Sequence, residues 1–478
     1  LPIIVVINKI DKPAARPYWV VDQVFDLFVR LNAPDHILDF PIIYASGREG
    51  WSVNGLNDER KDMTPLCERI VDYIPAPKGD ADGALQVLIS TLDYSPYLGR
   101  IGIGKITGGR ININEATVVA MRDGSLKTAR ITQIYRFESN KKYQVDQAVC
   151  GDIVGIAGMN EVTVGCTYTS PENPIPLPPM PIDPPTISMN ILPNTSAFAG
   201  QEGTFVTASQ LEARLQRETM SDVALQVKPL GVGQGFEVSG RGELHLSVLI
   251  EQMRREGYEM ECTRPQVIFQ TDENGVQLEP TEELTIDVDD AYIGPVMEKL
   301  GQRKGRIQSM ESENGMTRLV YLIPTRGLLG YRAEFMTDTK GMGVMNYIFN
   351  GYEPYCGEIR NRLHGAMVSM ASCDAVPYAL FNLQDRGKLF IGPGSKIYAG
   401  QIVGDHCREN DLVVNPGKAK KLTNMRASGS DENIILTPPL IMSLEDCISY
   451  INDDELVEIT PKSIRLRKMH MKKGWTEA

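Results

Sequence analysis

Leu1-Pro-Ile-Ile-Val-Val-Ile-Asn8-Lys9-Ile10-Asp11 is the stretch on which the reading of this chain turns. Ile3 to Ile7 are all β-branched, which predicts a strand buried on both faces of a parallel sheet. The run ends in Asn-Lys-x-Asp, with Pro13 and Pro17 close behind. Ligands of open α/β sheets sit just past the carboxyl ends of the strands. The polar set placed there is complementary to guanine. Asp11 can accept from N1–H and N2–H2 with its two carboxylate oxygens, Asn8 can donate from its amide, and Lys9 can lay its methylene stem over the ring. Adenine lacks both donors, so a buried Asp11 would be left badly partnered. The plainer alternative is a strand followed by a polar turn.

This is similar to the base-reading motif of GTPases. A second piece is then expected about one βα unit later, and Phe40-Pro-Ile-Ile-Tyr-Ala-Ser46-Gly47 is another apolar strand ending in small residues. GTPases carry Ser-Ala here and offer a backbone N–H to guanine O6. Ser46-Gly47 keeps that N–H and loosens the loop. The resemblance implies GTP or GDP with Mg2+ as cofactor, with Asn8, Lys9, Asp11 and Ser46 at the base. No Gly-x4-Gly-Lys-Ser/Thr occurs in the 478 residues. The expectation is therefore a partial P-loop GTPase domain. Its phosphate cradle, magnesium ligands and water-positioning His would lie upstream, leaving no catalytic residue in this chain and no hydrolysis by it alone.

The remaining pattern predicts a multidomain α/β and α+β protein. Residues 1–77 form the C-terminal part of the GTPase domain, with amphipathic helices over 18–31 and 63–73 and a stiff exit at Pro75-Ala-Pro77. Residues 78–180 read as a β-barrel, with strands over 85–93, 100–107, 117–121, 128–137 and 153–157. Within it, Gly99-Arg-Ile-Gly-Ile-Gly-Lys-Ile-Thr-Gly-Gly-Arg110 resembles the second domain of translational GTPases. Pro171 to Pro185 holds eight prolines in fifteen residues, a semi-rigid linker. Residues 181–265 and 280–359 each read β-α-β-β-α-β, the ferredoxin-like order. Gly240-Arg-Gly-Glu-Leu-His-Leu246 resembles the third domain of elongation factor G. Ile293-Gly-Pro-Val-Met297 and Arg326-Gly-Leu-Leu-Gly-Tyr-Arg332 resemble its fifth. His245 reads first as a packing or capping residue, and Arg303, Lys304 and Arg306 as either a solvated helix end or a phosphate contact. Elongation factor G has a whole domain between these two units. Here only residues 263–281 lie between them, which argues against a translocase of that type.

Residues 360–478 form a mostly β C-terminal domain. Phe381-Asn-Leu-Gln-Asp-Arg-Gly-Lys-Leu-Phe-Ile-Gly-Pro-Gly394 precedes a strand over 396–403, Lys418-Ala-Lys-Lys-Leu-Thr-Asn-Met-Arg-Ala-Ser-Gly429 forms a cationic loop, and 443–451 is a short helix capped by Ser443. These stretches resemble the BipA/TypA family of ribosome-associated GTPases, over Leu1 to about Met471. The resemblance implies a ribosome-binding GTPase with roles in stress-related translation and ribosome assembly. A ribosome-assembly factor using GTP only as a conformational clamp is the alternative.

Composition limits the partners. Net charge is −12, yet residues 412–430 hold four Lys/Arg and no acid, and residues 461–478 hold six Lys/Arg against Glu477. Local cations on an acidic body suit docking at chosen phosphates. The expected RNA contacts are Lys418, Lys420, Lys421, Asn424, Arg426, Arg465, Arg467 and Lys468, against large-subunit rRNA of a 70S ribosome. Neither a membrane nor DNA is an expected partner, and a monomer is expected. Eight Cys without CxxC pairing and five unclustered His predict a reducing compartment and no metal site. The cytoplasm is expected, or an organelle with bacterial-type ribosomes.

Overall fold

The computed structural model describes the chain except residues 1, 32, 140, 180–181, 183, 314, 360–361, 363, 420–434, 473–474 and 476–478. Strand Val5–Ile7 pairs in parallel with Ile42–Ser46, which pairs antiparallel with Trp51–Val53. Val5–Ile7 thus lies at the edge of a three-stranded sheet. Burial on both faces is not found. Ile7 packs with Tyr44, Trp51 and Val53 against Val20 and Val21 of helix Pro17–Arg30. Val6 points the other way and is 40% exposed.

Residues 86–169 build an eight-stranded antiparallel sheet that curls around a core of Val87, Ile89, Ile106, Ile134, Val154, Ile156 and Tyr168. The expected barrel does not close by pairing among the described residues, since Lys141–Val145 and Leu126–Arg130 remain its two ends. Register shifts in Gln86–Ser95 provide the curl. Gly104 permits it, because a Cβ there would sit 2.2 Å from the Leu88 carbonyl oxygen. The single strand expected over 128–137 is two, Leu126–Arg130 and Gln133–Glu138. The chain leaves one neighbour, Ala116–Ala120, for another, Ile153–Ala157, and turns at Ile131-Thr132 to do so.

Both β-α-β-β-α-β orders are present. The first runs Ile187–Pro193, helix Ala208–Ser221, Gln226–Gly231, Gly235–Gly240, helix Glu243–Arg255 and Met260–Cys262. Thr207 starts its first helix through a capping box with Gln210. The second runs Gln277–Asp289, helix Ile293–Gln302, Arg306–Glu313, Met316–Pro324, helix Tyr331–Asp338 and Val344–Pro354, with its own core around Leu284, Ile286, Leu319 and Phe335.

The C-terminal segment is not a separate body. Met260–Cys262 pairs with Glu455–Ile459, so the first ferredoxin-like sheet continues into the C-terminal strands. One core spans both, from Ile191 and Met253 to Ile448 and Val457. The strand expected over 396–403 breaks into Lys396–Ile397 and Gln401–His406 around Gly400, whose φ is +93°. Ser443 caps helix Leu444–Tyr450 as expected, accepting from the Asp446 N–H at 3.2 Å.

The joining strands carry buried charge. Glu261 stands opposite Glu458, and Glu458 opposite Arg465. Both glutamates are buried. Arg465 binds Glu458 at 3.1 Å and Glu202 at 2.8 Å, and Arg467 binds Glu261 at 2.9 Å. Glu458 also accepts from the Tyr398 hydroxyl at 2.6 Å. Removing one member of a buried ion set strands the others, at roughly 3–5 kcal/mol. Arg465→Met is expected to lower unfolding stability by that order, measured by urea denaturation, whereas exposed Lys462→Met should change it by less than about 0.5 kcal/mol. A loss below about 1 kcal/mol for Arg465→Met would show that Glu202 and Glu458 do not depend on it.

Candidate functional site

The turn after Val5–Ile7 is tied to the end of Ile42–Ser46 by one side chain. Asn8 Oδ1 accepts from the Lys9 N–H at 2.7 Å and the Gly47 N–H at 3.0 Å. Lys9 adopts φ +64°, a left-handed conformation unfavourable for a lysine, which these bonds hold in place. With its oxygen engaged, Asn8 has its NH2 to offer, the donor that guanine N7 requires. Gly47 departs from expectation, because its N–H is spent on Asn8. Ser46 is fully buried, and its hydroxyl accepts from the Glu49 N–H at 3.3 Å. It therefore shapes the loop from beneath. A hollow of about 290 Å³ beside the turn is lined by Asn8, Lys9, Lys12, Ala15, Arg16 and Val20. Asn8, Lys9, Ser46 and Gly47 are thus brought together, with half-buried Asp11 close by in the chain.

The expected RNA contacts separate into three groups. Lys418 is exposed, following a turn in which Asn415 Oδ1 accepts from the Gly417 N–H at 3.0 Å. Lys420, Lys421, Asn424 and Arg426 lie outside the described residues. Arg465, Arg467 and Lys468 correct the sequence reading. They lie on a strand, Ile464–Lys468, with Arg465 and Arg467 on one face and Lys468 on the other, and that strand is interior, paired on both sides. Lys468 is buried among Asp411 at 2.8 Å, Glu455 at 2.8 Å and Asp454 at 3.0 Å. Burial pulls its pKa down, but bonds to Asp411 and Glu455 outweigh that and lift it to about 12. These cations neutralise the protein's own carboxylates. Sequence reasoning missed Glu202 and Glu261 because they lie more than 200 residues from Arg465 and Arg467.

Of the remaining candidates, His245 and Arg303 are structural. His245 Nε2 meets Asp222 Oδ2 at 2.5 Å, and this bond holds the Asp222 carboxyl below its ordinary range. Arg303 is buried, donating to the carbonyls of Gly327 and Leu329 and to Glu334. Arg306 pairs with Glu353, and Lys304 is exposed. Among the described residues no group of three or more His, Cys, Asp or Glu is placed to hold a metal ion. No helix among them is long and apolar enough to cross a membrane.

Comparison with known proteins covers most of this architecture. Residues 99–169 match elongation factor Tu domain 2, residues 276–363 the elongation factor G C-terminus, and residues 364–473 the TypA/BipA C-terminal domain. The large ribosomal subunit assembly factor BipA of Salmonella typhimurium is 49% identical over 470 residues, 98% of this chain and 77% of that protein. This chain belongs to the BipA/TypA family of translational GTPases. BipA of Escherichia coli K12 has the same identity and coverage. BipA of Buchnera aphidicola subsp. Acyrthosiphon pisum is 47% identical over 473 residues, covering 98% of this chain and 78% of that protein. The family-specific match, 364–473, is the segment whose sheet fuses with the first ferredoxin-like unit.

The Asn8 bridge is testable in isolation. Asn8→Ala releases two backbone N–H groups, so exchange of the Lys9 and Gly47 amides should rise roughly tenfold. Gly47→Ala should leave it unchanged, since its Cβ would meet Asn8 Nδ2 at an ordinary 3.5 Å. Unchanged exchange in Asn8→Ala would mean that the strand ends alone order the loop.

Proposed function

We propose that this chain reads guanine and docks on the ribosome as part of a GTPase that acts in assembly of the large subunit. The observation that carries the reading is near full-length similarity to proteins named large ribosomal subunit assembly factor BipA, combined with the Asn8–Gly47 turn at the strand ends. Asn8, Lys9 and Asp11 contact the base, with Ser46 holding the loop beneath it. GTP or GDP with Mg2+ is the ligand of the nucleotide domain. Rate enhancement needs phosphate-cradling and water-orienting groups, and the present sequence holds no Gly-x4-Gly-Lys-Ser/Thr. This chain alone should therefore release no phosphate from GTP above the buffer rate.

Lys418, Lys420, Lys421, Asn424 and Arg426 form the RNA-contacting loop. Arg465, Arg467 and Lys468 are assigned instead to holding the sheet. A monomer in the cytoplasm, with a role in stress-related translation, completes the reading that family membership supports. The second reading, an assembly factor for which nucleotide is only a clamp, is favoured by the shared sheet and core of residues 187–468, which include no residue of the Asn8–Gly47 turn.

Co-sedimentation with 70S ribosomes across a salt series tests both readings. Wild-type chain is expected to bind without nucleotide and to lose affinity steeply with salt. Changing Lys418, Lys420, Lys421 and Arg426 together to Ala should flatten the log–log slope by up to about 3. An unchanged slope would remove the loop from RNA. Binding that appears only with a nucleotide-loaded full GTPase domain would favour the switch over the clamp.

A further inference from the structure

The second ferredoxin-like unit, 277–354, meets the fused sheet body at a narrow point. Leu329 packs into the core shared by residues 187–267 and 366–466. Gly330 follows with φ +69°, and a Cβ there would lie 3.2 Å from Ser449 Cβ. Its N–H donates to Glu243, the first residue of helix Glu243–Arg255, and Glu243 also accepts from the Ser449 hydroxyl on helix Leu444–Tyr450. One carboxylate thus binds all three segments. Inside its own unit the elbow is rigid, because Arg303 Nη1 donates to the carbonyls of Gly327 at 2.9 Å and Leu329 at 3.1 Å.

Beside this contact the two bodies stand apart. A cavity of about 420 Å³ separates Leu244 and Glu445 from Arg332, Met336, Met345 and Tyr347. A rigid peg in a socket, next to an apolar-walled gap, has the geometry of a shear or hinge joint. We infer that Leu329–Gly330, seated on Glu243 and Ser449, is the pivot on which residues 277–354 swing to open or close this gap.

The pivot carries a pH dependence. Burial lifts the Glu243 carboxyl above its ordinary range, Glu445 adds to the shift, and the bonds from Ser449 and Gly330 and the charge of Arg264 oppose it. Arg332, Tyr347, Asp446 and Glu282 complete the charged surroundings. A carboxyl raised in the docked state binds its proton more tightly there. Docking is therefore strongest below the ordinary glutamate range and weakens as pH rises through the raised value.

Hydrogen exchange at Leu329–Arg332, corrected for intrinsic rates, measures docking. Exchange at Leu284–Val288 reports whether the unit itself stays folded. Wild type should lose protection at the elbow as pH rises from 4 to 8, because the Glu243 carboxyl is raised in the docked state. Glu243→Gln should be equally protected at both pH values. Gly330→Ala should lose elbow protection at both while Leu284–Val288 stays protected. Ala333→Trp, which fills the cavity, should abolish the pH-dependent change in small-angle scattering expected of wild type. A Glu243→Gln protein that keeps the wild-type pH dependence, a Gly330→Ala elbow as protected as wild type, or wild-type scattering that does not change with pH would each overturn the inference.

Discussion

Three residue pairs join the two halves of the body: Met260 with Ile459, Glu261 with Glu458, and Cys262 with Val457. Without this short ladder the ferredoxin-like sheet and the C-terminal strands would each expose an edge, an unstable arrangement for apolar strands. With it, Ile191, Met253, Ile448 and Val457 share one core. The cost is a buried row of like charges, since opposed glutamates repel across an antiparallel pair. Arg465 and Arg467 remove that cost. The basic C-terminal strand is therefore a condition of the sheet, and its charge is unavailable to an external phosphate.

Glu259 and Glu261 show how finely the burial is handled. They lie two residues apart and are both buried. Burial works against both charges. Glu259 accepts N–H bonds from Gly200 at 2.7 Å, Glu202 at 2.9 Å and Gly203 at 2.6 Å, and its carboxyl is held below the ordinary range. Glu261 relies on Arg467 and Thr195, and burial still leaves it raised. Fixed backbone donors stabilise the charge more completely than a single arginine does. Glu259 thereby fixes the loop 200–203 beside the ladder.

The local elements were legible because their signals are local. Thr207 and Gln210 announce a helix start, and Ser443 another. The turn at Asn8–Asp11 stood out for the same reason, since its polar residues are neighbours in the chain. The pairing of 260–262 with 455–459 left no such trace. A register is specified by what lies opposite, and here the opposite strand is nearly 200 residues away. Distance also hid Glu202 from Arg465 and Glu261 from Arg467, while Glu455 and Glu458, near in sequence, meet Lys468 and Arg465 only through the strand pairing, so a run of cations looked solvated. Barrel closure was misjudged for a related reason: Gly spacing reports bending, while closure depends on which end strands meet.

The fused sheet also determines where motion can occur. A core shared across residues 187–466 leaves little freedom between the first ferredoxin-like unit and the C-terminal segment. The second ferredoxin-like unit has its own core and reaches the body through the elbow, the neighbouring helical turn Thr325–Leu328 against strand Gln266–Val267, and a cavity edge. Movement of one unit against the other is therefore easiest at that elbow. Lys418 is carried on the rigid side, shortly after strand Leu412–Val414. It belongs to the body rather than to the second ferredoxin-like unit, a division built by a three-residue ladder and the charges that make it tolerable.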